Sequence, residues 1–108
     1  MAWQTDKQPE QVSMQATGYC LKGKMAAGGR TRKGVCASAR NHFGKVAQVY
    51  KRNSDGTIGQ FIGYFEVKDT GGESIASGRV LDIWFPTSRE CFDFGSRKIV
   101  VIFTEGKG

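Results

Sequence analysis

Two runs of alternating apolar residues, KVAQVYKR and IGQFIGYFEV, are separated only by Asn53-Ser54-Asp55-Gly56 and Thr57. These are turn residues for physical reasons: Gly accepts positive φ, and Asn, Asp and Ser hydrogen-bond their own backbone. The spacing predicts a β-hairpin, and the rest of the chain repeats its grammar. VSMQATGYC, GVCAS, VLDIWF and KIVVIF are short and rich in β-branched or aromatic residues. With 15 Gly against 2 Pro, tight turns between short strands are favoured. KGKMAAGGRTRKG reads as a basic, Gly-rich loop with no room for a helix. One helix is expected, after Pro86, where Thr87 and Glu90 have capping-box spacing and Gly95 supplies the stop. Its Cys91 and Phe94 share a face and should pack on the sheet. The expected class is all-β: six short strands closing on themselves, with one short helix near the C-terminus.

At 108 residues the chain supports a single core. Residues 1–10 read as a flexible polar tail and residues 11–108 as the domain. No apolar run approaches the roughly 20 residues of a membrane span, and MAWQTDKQPEQVSMQ lacks the pattern of a secretory signal. Charge is polarised. Between Gln11 and Ser54 there are nine Lys or Arg and no acid; from Asp55 onward eight acids face six bases. A basic half of this kind attracts anions, either as a plain solvated face or as a site for an anionic polymer. Nucleic acid is the third and weakest reading, resting on Tyr19, Phe43 and Tyr50 among the bases, without any recognition motif. Three cysteines allow one disulfide: Cys91 is expected in the core, and Cys20 and Cys36 as buried thiols or a bridge. With His42 alone and no C-x-x-C, no metal site is expected, and no cofactor.

The segment VKDTGGESIASGRVLDIWF holds two aspartates in contrasting settings. Asp69 ends an apolar run and precedes Thr70-Gly71-Gly72, as in a side-chain-closed turn. Asp82 interrupts Val80, Leu81, Ile83, Trp84 and Phe85. An unpaired buried carboxylate costs several kcal/mol, so such a residue has a specific partner or a chemical task. Acceptance of backbone N–H bonds would be the purely structural alternative.

The order ATGYC, MAAGGRTRKGVCA, DTGG, GRVLDIWFP and a helix ending in FG resembles the three-aspartate domain, over roughly residues 15–103. That family is a double-psi β-barrel, related to the catalytic barrel of membrane-bound lytic transglycosylase A and found in muralytic stationary-phase survival proteins of bacteria. The resemblance implies a six-stranded double-psi β-barrel and a lytic transglycosylase (a lyase) acting on peptidoglycan of the cell wall. It maps the catalytic acid/base onto Asp82 and its neighbour in the groove onto Asp69. Substrate contacts are implied for Thr17, Tyr19, Gly28, Arg30, Gly71, Gly72 and Trp84, with Trp84 as a sugar platform. Two departures stand out. The loop between the aspartates is about two residues longer than the family's common form, and the first aspartate, expected near Ala37–Ala39, is absent.

The implied reaction breaks the β-1,4 bond between N-acetylmuramic acid and N-acetylglucosamine, the muramic C6 hydroxyl attacking to leave a 1,6-anhydro end. One carboxyl can serve, provided it starts protonated, so Asp82 needs a pKa raised by burial and by the charge of Asp69. Arg30, Arg32 and Lys33 are expected to hold peptide or lactyl carboxylates, with other anionic wall polymers meeting the basic half. The alternative is a barrel that binds wall glycan without cutting it. The implied location is the cell envelope or exterior, reached without a visible signal peptide by a phage or secretion machine, or after trimming.

Overall fold

The computed structural model describes residues 10–106. The expected N-terminal tail lies outside the described residues up to position 9, and Glu10 already begins the first strand. The elements run β1 (Glu10–Tyr19), β2 (Val35–Ala37), β3 (Lys45–Arg52), β4 (Ile58–Asp69), α1 (Glu73–Ala76), β5 (Val80–Trp84), α2 (Ser88–Phe94) and β6 (Arg97–Glu105). All six expected strands form. Hydrogen bonding joins them in the order β1, β5, β2, β4, β3, β6, and β6 returns to β1, so the ring closes. β1–β5 and β2–β4 are parallel, and the other four pairings are antiparallel.

The interior follows the period of two that strands impose. Met14 and Ala16 from β1, Cys36 from β2, Ala47 and Val49 from β3 and Val67 from β4 meet Leu81, Ile83, Ile99, Val101 and Phe103. Burying a side chain the size of Leu81 or Ile99 stabilises by about 1.5–3 kcal/mol. The hairpin forms at its predicted place: Asn53 N–H donates to Thr57 O (2.9 Å) and Gly56 N–H to Asn53 O (2.8 Å). Gly56 sits at φ +88°, a region strained for residues with a side chain.

The C-terminal helix also forms as read. Glu90 N–H donates to Thr87 Oγ1 (3.2 Å), and Gly95 N–H closes the end on Cys91 O (3.0 Å). Phe94 and Phe85 pack together against the ring's core, their centroids 5.2 Å apart. Gly18 on β1 permits this approach. A Cβ there would lie 2.9 Å from the Phe85 ring and 3.4 Å from Cys91 Cα.

Two expectations require correction. The segment between the aspartates is not loop throughout, because Glu73–Ala76 forms a second short helix. Four residues are too few to show helical periodicity, so the turn was invisible in sequence. Two local contacts accompany it: Arg79 bridges to Glu73 at 2.7 Å, and Ile75 lies over Gly71. Second, Cys91 is half-buried at the helix–strand seam rather than a core residue, and Cys20 is also a half-buried thiol, neither fully buried nor bridged; Cys36 is the fully buried cysteine, and it too is a free thiol. Among the described residues, no helix is long and apolar enough to cross a membrane.

Candidate functional site

The ring order brings the two aspartates into one row. Register sets Thr17 opposite Asp82, Asp82 opposite Ala37, and Ala37 opposite Asp69, across β1, β5, β2 and β4. Directly opposed residues share a face of the sheet. Leu81 and Ile83 enter the core with no exposure, so alternation turns Asp82 to the outer face. The next row on that face is Tyr19, Trp84 and Val35, and Met25 from the β1–β2 loop covers it. This second, smaller cluster holds the loop against the outer face of the ring.

Asp82 is half-buried, and Thr17 Oγ1 donates to its Oδ1 at 2.7 Å. Burial pushes its carboxyl above the ordinary value of 3.8; the Thr17 hydrogen bond opposes this, and the charge of Asp69 adds to it. Asp69 is surrounded by donors. Tyr19 Oη donates to Oδ2 (3.3 Å), while Ala26 N–H and Thr70 N–H both donate to Oδ1 at 3.0 Å. The carboxylate thus ties the loop to the end of β4 as well as facing Asp82. Tyr19 is held in its protonated, donating form: burial first, then the charge and hydrogen bond of Asp69, push its pKa up.

The position of the missing family aspartate is filled differently. Ala37, Ser38 and Ala39 are all buried. Ser38 N–H donates to the Asp69 carbonyl (2.9 Å), and its hydroxyl lies 3.4 Å from Nδ1 of His42. The His42 ring stacks on Phe103 with centroids 3.9 Å apart. Ala37, not a carboxylate, stands in the row between Asp82 and Asp69, with the buried Ser38 and His42 just beyond it in the chain.

A hollow of about 280 Å³ opens beside Asp69, lined by Tyr19, Lys22, Lys24 and Thr31 among others. A second hollow, about 330 Å³, lies at Tyr64, Phe65 and Glu66, where Glu66 is engaged by Arg32 at 2.9 Å. The first combines a carboxylate, a phenol and two lysines, so it carries the richer chemistry. Among the described residues, neither Lys22 nor Lys24 forms an ion pair.

Of the residues nominated from sequence, Asp82, Asp69, Thr17 and Tyr19 come together. Trp84 is 7 % exposed, and its indole N–H donates to Leu21 O at 2.8 Å, so it lies beneath the loop rather than at the surface. Gly28 and Arg30 are exposed in the loop and Gly71 and Gly72 at the start of α1, and none of the four lines the hollow. Gly28 N–H closes a turn on Met25 O (2.9 Å), and Gly72 caps α1. Lys22, Lys24 and the Ala26 N–H were not singled out by sequence. Their only signal was position, just beyond the Tyr19 that ends β1. Among the described residues, no cluster of His, Cys, Asp and Glu has the makings of a metal site. No family model matches this chain, and no curated protein matches it.

Proposed function

We propose that the chain is a double-psi barrel of the three-aspartate type that cleaves peptidoglycan as a lytic transglycosylase, with Asp82 as acid and then base. The observation that carries this reading is the half-buried Asp82, with its raised pKa, in one cross-strand row with Asp69. Protonated Asp82 donates its proton to the glycosidic oxygen as the bond to C1 breaks. The muramic C6 hydroxyl attacks C1, and the Asp82 carboxylate accepts the hydroxyl proton. The carboxyl is thereby restored and no water is consumed. Asp69 supports the neutral starting form of Asp82 through its charge, and Thr17 orients the Oδ1 atom. The test is incubation with purified peptidoglycan followed by mass spectrometry. Anhydro-muramyl products support the reading; intact glycan strands, at every pH tried, overturn it.

Because the acid must begin protonated, activity should fall as pH rises through the pKa of Asp82. The Thr17 hydrogen bond lowers that pKa. Thr17→Val should therefore move the alkaline fall to higher pH, as read from a pH–rate profile. An unmoved profile would show that Asp82 does not set it.

The lysines of the hollow suit the carboxylates of wall glycan and its peptides. Lys22→Gln with Lys24→Gln should weaken binding to insoluble wall at low salt. The difference from wild type should shrink at high salt, because exposed charges are screened beyond about 10 Å at 0.1 M. Equal losses at both salt concentrations would assign the lysines a non-electrostatic role.

A second reading, a wall-binding barrel that does not cut, is favoured by one observation: Ser38 and two alanines fill the place of the family's first aspartate. Retention on insoluble wall without anhydro products would select it. Under either reading the place of action is the cell envelope.

A further inference from the structure

The inward-facing side of β1 continues from Met14 and Ala16 to Gly18, and by the alternation of an extended chain to Cys20. At Gly18 this side lies against α2, where a Cβ would stand 3.4 Å from Cys91 Cα. Cys20 follows two residues further, just past the end of β1 and on the same side by alternation. Burial first, and then the neighbouring Cys20 thiol, push the pKa of Cys91 up. Both residues are partly exposed, so a small reagent can reach them. Cys36 is separate: it has no exposure, and its Sγ is directed to Phe65 O at 3.9 Å inside the ring.

We propose that Cys20 and Cys91 form a covalent modification site, an oxidative cross-link between the end of β1 and α2, with an organic disulfide as the oxidant. The Cys20 thiolate attacks one sulfur of that disulfide; its S–S bond breaks and one thiolate leaves. The Cys91 sulfur then attacks the Cys20 sulfur of the mixed disulfide and expels the second thiolate. The two cysteine protons end on the two released thiols, and two electrons pass from the protein to the oxidant. The cross-link closes a long stretch of chain, from position 20 to position 91, and so removes many conformations from the unfolded state. It also fixes the root of the loop whose Lys22 and Lys24 line the hollow. The inference is independent of what the hollow binds.

The test uses the full chain and oxidised glutathione. Lys22, Lys33, Arg40 and Arg89 divide the three cysteines among separate tryptic peptides, so linkage can be read by non-reducing mass mapping. The expected result is a Cys20–Cys91 linked pair with the Cys36 peptide recovered as a free thiol. The melting temperature should rise on oxidation by at least about 5 °C. Cys91→Ser and, separately, Cys20→Ser should abolish that rise, and their reduced forms should melt cooperatively near reduced wild type. Linkage through Cys36, or glutathione adducts on Cys20 and Cys91 without a link, would overturn the proposal.

Discussion

On the proposed reading, Asp82→Asn should abolish release of anhydro-muramyl products; it should also raise thermal stability at neutral pH. The two effects have one origin. In the folded protein, burial and the charge of Asp69 hold the Asp82 carboxyl above its ordinary 3.8, so the ionised form is disfavoured there. A raised pKa means that the stability linked to protonation is fully present below 3.8 and is lost as pH rises through the folded value. Asparagine has no charge to bury, and its amide oxygen can still accept from Thr17. The stability gain of the variant should therefore be complete above the folded pKa of Asp82 and vanish below 3.8. Melting curves across pH read this directly, beside product analysis of the same samples. A variant that is less stable than wild type at pH 7 would mean that the charged carboxylate anchors the fold. A variant that still cuts at the wild-type rate would remove Asp82 from the chemistry.

Trp84→Ala should lower stability by about 3–5 kcal/mol, the range for truncating a large buried aromatic. Trp84 is 7 % exposed and packs with Met25 and Val35, with Tyr19 against them. Its indole N–H is also the donor that holds Leu21 O. Trp84→Phe keeps most of the packing and leaves that carbonyl unpaired, which should cost about 1–3 kcal/mol. Urea unfolding of both variants checks the order. A sugar-stacking residue would behave in the opposite way, with stability nearly unchanged and glycan affinity reduced. The consequence reaches the site because the same loop presents Ala26 N–H to Asp69. Loosening it should expose the hollow before the ring itself opens.

Most of the ring was legible because strands announce themselves locally. The hairpin at Asn53–Gly56 and the capped helix after Thr87 rest on contacts within a few residues, so sequence spacing suffices to predict them. The helix at Glu73–Ala76 was not legible, since a single turn of four residues carries no helical period. The site divided the same way. Asp82 stood out as a charge among apolar neighbours, whereas Lys22 and Lys24 look like any other bases of a basic loop. Their relation to Asp69 exists only because Met25, Trp84 and the Ala26 N–H fold that loop over the outer face.

By itself the sequence determined the six strands, their alternation, the capped C-terminal helix and the oddity of Asp82, all of which arise from local periodicity and turn chemistry. Only the tertiary structure decided which strands become neighbours. That choice placed Ala37 between Asp82 and Asp69, buried Trp84 under the loop, and set the inner side of β1 at Gly18 against Cys91. The physical reason is that each strand offers two edges and two faces to any partner. Closure of the ring around one apolar interior selects among those partners, and it does so through contacts far apart in the chain.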